Sequence, residues 1–140
     1  MTHFLHRVRY HEVDKQGYLF NGRYFEIADV AMTEYFRDLG WNYDELNRLG
    51  ADPSVVHIEA DFASPAQFDD ELDVTTECTR VGTSSFSLRT EIRNQLNLVA
   101  TLQIVYVNVE AQLGESLPLP ELVAAKMRSS VTLQEVGSNG

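Results

Sequence analysis

A single stretch of this chain carries apolar residues at helical spacing, and almost everything after it carries them at alternating spacing. Tyr24, Ile27, Ala28, Ala31, Met32, Tyr35 and Leu39 fall on one helical face. Phe25, Val30 and Phe36 add apolar surface on other sides, so this helix is expected to be buried widely, with Gly40 as its stop. Beyond it, Val56, Ile58, Ala60 and Phe62 alternate with His57, Glu59 and Asp61. Leu72, Val74, Thr76 and Cys78 alternate with Asp73, Thr75 and Glu77, and Phe86, Leu88, Thr90 and Ile92 with Ser87, Arg89 and Glu91. Leu98 to Val109 is apolar on both faces around Val105, Tyr106 and Val107, which suits a central strand or one at an interface. Ahead of the helix, Phe4, His6, Val8 and Tyr10 form a further strand pattern.

One long helix and five strands joined by short turns imply an α+β fold. It is an antiparallel sheet of five strands, or slightly more, wrapped around one central helix, because no other element is long enough to cover a sheet face. Tyr43–Leu49 reads as a short second helix and Glu121–Met127 as a short terminal one. The chain divides into one domain, 1–128, and a flexible tail, 129–140. Open sheet edges are a liability that pairing between subunits removes, so a homodimer or a tetramer built from dimers is expected.

Composition narrows the function. A chain of 140 residues buries about 68–70% of its unfolded surface and needs no disulfide. The only cysteine, Cys78, sits in a strand pattern and reads as a small buried thiol. No apolar run is long enough to span a membrane, and the N-terminus lacks the apolar core of a signal peptide, so a cytoplasmic location is expected. The net charge of -10 repels nucleic acid. It repels the phosphates of coenzyme A as well, so a CoA ligand needs local cations. Arg80, Arg89, Arg93, Lys126 and Arg128 are the candidates.

The chemistry concentrates between the first strand and the long helix. Asp14 lies in a loop, Gly17 permits backbone angles a side chain forbids, and Asn21 stands at the helix start as a natural cap. A helix N-terminus offers free N–H groups and partial positive charge to a carbonyl oxygen gaining charge. Asp14 can then act on water as a base or attack directly. His3 and His6 face opposite sides of a strand and make no metal pair, and there is no metal-ligand cluster, Walker loop, dinucleotide fingerprint or nucleophile elbow. Glu26 and Asp29 on the helix are the reserve carboxylates, and His11 borders the loop.

Asp14, Gly17, Asn21 and Tyr24, preceded by Val8-Arg9-Tyr10, together with Phe62-Ala63-Ser64-Pro65-Ala66, Asp69-Asp70-Glu71-Leu72 and Gly82-Thr83-Ser84-Ser85-Phe86, resemble the 4-hydroxybenzoyl-CoA thioesterase branch of the hotdog superfamily. The likeness spans roughly Phe4 to Glu110. It implies a hotdog fold and a thioesterase that hydrolyses an acyl-CoA or acyl-carrier-protein thioester without a cofactor beyond the CoA of its substrate. It implies Asp14 as nucleophile or general base, the backbone N–H at Asn21 polarising the carbonyl, and an active site at a dimer interface. Gly17, Tyr24, Ser84 and Ser85 fall in matching segments as substrate contacts. His57, facing away from its own helix, is placed against the partner's site. The chain departs from the pattern at Asn21, where many relatives have His, at Glu12 in place of Asp, and at Met32 in place of Arg. Asn carries no proton away at neutral pH, so Asn21 is expected to position and polarise. The same departures admit a rival, a non-catalytic acyl-CoA binding protein. A hydratase is disfavoured because no His follows in the helix.

Overall fold

The alternating segments form β1 (Thr2–Arg7), β2 (Pro53–Phe62), β3 (Glu71–Val81), β4 (Ser85–Asn94) and β5 (Asn97–Asn108), and the helical ones α1 (Arg23–Leu39), α2 (Tyr43–Arg48) and α3 (Glu121–Ser130). The structure, a computed structural model, describes residues 1–131. The strands make one antiparallel sheet in the order β1-β3-β4-β5-β2. Among the described residues this is the α+β arrangement of a sheet around one helix expected from the pattern, with α1 lying in the curve of the sheet, and it is the hotdog fold that the resemblance implies.

Strand alternation decides which side chains meet the helix. Val74 pairs with Ile92, Leu88 with Ile104 and Phe86 with Tyr106. All six are buried, as are Tyr24, Ile27, Ala28, Ala31, Met32, Tyr35 and Phe36 of α1. An aromatic stack links the layers. Phe36 meets Phe86 edge-on with centroids 5.7 Å apart, and Phe86 stacks on Tyr106 at 5.0 Å. The two hydroxyls inside this layer, Thr76 and Thr90, bond each other at 3.0 Å, so neither is left unsatisfied. Gly40 ends α1 in the left-handed region, φ 117°, with its N–H bonded to the Phe36 and Arg37 carbonyls.

Three details differ from the sequence reading. The first strand ends at Arg7 and not near Tyr10, because Tyr10–Glu12 closes a 3-10 turn and the Val8 N–H leaves for the Asp70 carbonyl. Burial of α1 is one-sided, since Phe25 and Val30 are exposed. The helix lies against β1, β3 and β4, and leaves β2 almost entirely exposed at the sheet edge. The terminal helix runs on to Ser130, which bonds the Tyr35 hydroxyl at 2.6 Å, so the expected tail begins inside α3. The rest of that tail, 132–140, lies outside the described residues.

If the aromatic stack anchors the helix, Phe36→Ala should cost about 3–5 kcal/mol, the usual loss for emptying a buried aromatic site. Urea unfolding followed by circular dichroism measures it. A loss under about 1 kcal/mol would show that α1 does not depend on this contact.

Candidate active site

Asp14 is held by a tight hairpin between β1 and α1. The Asp14 N–H donates to the Tyr18 carbonyl at 2.8 Å, and the Gly17 N–H to the Asp14 carbonyl at 2.9 Å. Three residues thus turn the chain, the last of them Gly17 with φ 83°, as three-residue hairpin loops require. A Cβ at Gly17 would meet nothing within 4 Å, so the requirement for glycine here comes from backbone angle and not from space. The Asp14 side chain joins the turn. Its Oδ1 accepts from the Gln16 N–H at 2.9 Å and the Tyr18 N–H at 3.3 Å. Its Oδ2 makes no hydrogen bond among the described residues, so one oxygen orients the carboxylate and the other remains available.

A second loop, between β2 and β3, is tied to this hairpin. Leu19 N–H donates to the Ala66 carbonyl at 2.7 Å, and Tyr18 bridges to Gln67. Between them lies a pocket of about 320 Å³ whose wall includes Asp14, Tyr18, Asn21, Tyr24, Phe62 and Ser64. The Phe62 ring closes against Tyr24, with centroids 5.1 Å apart. The backbone N–H groups of Asn21 and Gly22 have no acceptor among the described residues, directly before the first turn of α1. The pocket therefore combines a carboxylate oxygen with hydrogen-bonding capacity to spare and a wall residue, Asn21, whose N–H is unpaired among the described residues at the positive end of a helix.

Asp14, Asn21 and Tyr24 come together in this pocket. Gly17 lines an adjoining cleft on the other side of Asp14. His57 is exposed on the outer face of β2, bonded to Glu59 at 3.2 Å. Ser84 and Ser85 lie at the β3–β4 turn, at the opposite end of the sheet from Asp14 within this chain, where the Ser85 hydroxyl accepts from Arg80 at 3.0 Å. Asn21 is not the helix cap. Gly22 holds that position and no side chain caps α1, because the helix begins one residue later than the cap reading requires. Glu26 pairs with Arg23 at 3.0 Å, and Asp29, whose carboxyl is pushed up by burial and by Glu26, stands outside the pocket. The sequence reading did not place Tyr18, Phe62 or Ser64 at the site. Tyr18 carried no signal of its own, Phe62 and Ser64 were legible only as part of a strand ending, and the pairing of two loops brings them to the pocket. Among the described residues no group of three or more His, Cys, Asp or Glu could hold a metal ion.

Glu12 fixes the entry to the hairpin. It is buried, and its Oε1 accepts from the Arg9 N–H at 2.7 Å and contacts His6 Nε2 at 3.0 Å. Burial pushes its carboxyl pKa up, but the Arg9 N–H, His6 and His11 outweigh it, and the net shift is downward. A lowered pKa means the ionised form is favoured by the fold. That stability is present above the ordinary glutamate pKa and is lost as pH falls through the lowered one. Glu12→Gln should therefore be less stable than the parent at pH 7, with the gap closing in the acid range. Asn21→Ala, at an exposed site without a cap bond, should melt within about 0.5 kcal/mol of the parent. Thermal melts from pH 3 to pH 7 test both. A pH-independent gap for Glu12→Gln would contradict the first, and a loss of 1 kcal/mol or more for Asn21→Ala the second.

The sequence pattern of the Thioesterase superfamily matches residues 16–101, more than half of the chain and starting just after Asp14. The 1,4-dihydroxy-2-naphthoyl-CoA hydrolase of Synechococcus elongatus is 25% identical over 119 residues, 81% of this chain and 85% of that protein. Among solved structures, the probable thioesterase of Bartonella henselae superposes with a TM-score of 0.79 at 26% identity, covering 84% of this chain and 98% of that one. The 1,4-dihydroxy-2-naphthoyl-CoA thioesterase of Synechocystis shares the fold, with a TM-score of 0.80 at 19% identity over 91% and 95% of the two chains. With its sheet, its central helix and this match in agreement, the chain belongs to the thioesterase superfamily and is a thioester hydrolase of the hotdog fold.

Proposed function

We propose that this chain hydrolyses acyl-CoA thioesters, with Asp14 as the catalytic carboxylate. The observation that carries this reading is one pocket lined both by Asp14, oriented through its Oδ1, and by Asn21, whose backbone N–H, like that of Gly22 next to it in the chain, has no acceptor among the described residues. The thioester oxygen accepts from these N–H groups, and the helix end stabilises the charge it gains in the tetrahedral state. Asp14 Oδ2 either attacks the carbonyl carbon or takes a proton from the water that does so. In both routes the C–S bond breaks, the thiol leaves with one proton, and water supplies the oxygen of the acid product. The Asn21 side chain has no proton to relay, so its part is to shape the pocket. Relatives named for the hydrolysis of an aromatic CoA thioester support CoA as the thiol carrier.

The working unit in this reading is a homodimer joined along β2. Among the described residues that edge has no partner strand, and it exposes Val55, Val56, Ile58 and Phe62, while Phe25 and Val30 of α1 are exposed as well. An uncovered hydrophobic edge strand seeks a second strand. A two-fold pairing of β2 with its copy would continue the sheet and bring a second helix over the uncovered end.

Asp14→Asn keeps the size of the side chain and removes its charge and basicity. Thiol release from a panel of acyl-CoAs should fall by about 10²–10⁴-fold, with melting unchanged or higher. Wild-type turnover by this variant would remove Asp14 from the mechanism. For the assembly, Val56→Lys should shift sedimentation from dimer to monomer, and a parent chain that sediments as a monomer at micromolar concentration would contradict the β2 interface.

A further inference from the structure

The chain carries 21 acidic side chains, and among the described residues only Glu12 and Glu77 are buried. Burying a carboxylate is costly unless its partners are in place. Glu77 lies on the sheet against Arg89. Glu12 has no Lys or Arg partner among the described residues, and it stands at the foot of the hairpin that carries Asp14. It is bonded in three directions. Its Oε1 accepts from the Arg9 N–H at 2.7 Å and lies 3.0 Å from His6 Nε2, on a strand residue paired with Leu72 of β3. Its N–H donates to the Arg9 carbonyl at 3.0 Å. Its carbonyl accepts from the Phe20 N–H at 2.9 Å, the residue directly before Asn21. Among the described residues no other side chain of 12–20 bonds to a strand of the sheet. The bonds from Gln16 and Tyr18 that aim Asp14 are internal to the turn. They fix the carboxylate within the hairpin, and the hairpin itself must be fixed by other contacts. Those are the main-chain ties of Tyr18 and Leu19 to 66–67, an exposed contact from Arg23 to the His11 carbonyl at 3.3 Å, and Glu12.

We propose that Glu12 is a positioning residue for the reaction, the link through which the sheet sets where the Asp14 carboxylate stands relative to the Asn21 N–H, an inference that rests on the thioesterase reading. Glu12 lines neither of the two cavities that Asp14 lines, so it does not meet substrate there. It acts on Asp14 along two peptide units of the same strand, and on Asn21 through the Phe20 N–H of the opposite one. Without it the hairpin is left hinged on its ties to 66–67. A displacement of about 1 Å at a reacting group costs about 10²-fold in rate, even when the change that causes it is remote. Charge suits this task, because a hydrogen bond to a carboxylate is roughly twice as strong as one to a neutral oxygen. The downward shift of the Glu12 carboxyl agrees with a fold that holds it ionised.

The test compares the parent with Glu12→Ala and Glu12→Gln, assayed for thiol release from an acyl-CoA at a temperature where circular dichroism shows each variant folded. In Glu12→Ala, kcat should fall by about 10²-fold with KM unchanged. Glu12→Gln keeps an oxygen for the Arg9 N–H and loses only the charge, so it should recover part of that rate. A role in stability alone would lower the folded fraction and leave the turnover of folded molecules as it was. The second readout is the amide resonances of Gln16 and Tyr18, whose N–H groups donate to Asp14 Oδ1. Both should move in Glu12→Ala, in the direction that Asp14→Asn moves them, while the amides of β4 and β5 stay in place. An unchanged kcat, a loss seen only in KM, or Gln16 and Tyr18 signals that do not move would each overturn the proposal. If Glu12→Ala does not fold, Glu12→Gln carries the same readouts at smaller size. If the parent releases no thiol, the thioesterase reading fails instead, and the amide resonances alone decide whether Glu12 sets Asp14: moved signals uphold it, and unmoved ones end it.

Discussion

The structure depends on the contact between one helix and the concave face of one sheet. Phe36, Phe86 and Tyr106 form its centre, and seven residues of α1 are buried. Because the described residues form only one long helix, the contact is not shared with another. It determines which strand faces are apolar, why α3 can only cover a corner against β3, and why the β2 end is left bare. It also fixes the direction in which the N-terminus of α1 points, and with it the two unpaired N–H groups beside Asp14. Packing energy and chemical capability thus meet at one element.

The site itself is made of backbone more than of side chains. Two loops far apart in sequence, 13–21 and 63–70, are joined by main-chain bonds from Leu19 to Ala66 and by the Tyr18–Gln67 bridge. Asp14 is aimed by two backbone N–H groups, and Glu12 holds the approach to the hairpin through a third. Such a site tolerates side-chain variation, which is why an Asn can stand at position 21 without disturbing the geometry. Several of the cations the sequence brought forward are already engaged within the chain. Arg89 and Arg93, offered by the sequence as phosphate partners, are engaged with Glu77 and Glu91. Lys126 stands over the Trp41 ring at 6.0 Å, and Arg80 reaches the Ser85 hydroxyl. Lys15, beside Asp14, was not among the cations the sequence brought forward.

Periodicity made the fold legible. A helical repeat at Tyr24–Leu39 and alternation in four later segments left few arrangements, and the strands appear where alternation placed them. Legibility failed where burial depends on what is missing. Phe25 and Val30 look like core residues by composition, but both are exposed, and among the described residues no second long helix packs beside them. At the site, the Asp14–Gly17 spacing announced a turn because both residues act locally. Asn21 was misread as a cap because the one-residue offset of a helix start is not encoded by residue type alone. That Tyr18 and Ser64 share a pocket could not be read from the sequence, since pairing two loops about fifty positions apart creates it.

The central claim is that substrate meets the chain at the Asp14 pocket, and the molecule offers a clear alternative. A cleft of about 250 Å³ lies among Asn47, Asp52, Val109 and Leu117, at the other end of the sheet. Titration of a non-hydrolysable thioether analogue of an acyl-CoA into isotope-labelled protein, followed through backbone amide resonances, distinguishes the two. Shifts should concentrate in residues 16–24 and 62–64, with the Asn21 and Gly22 amides moving most. Shifts confined to 47–52 and 109–117 would contradict the account.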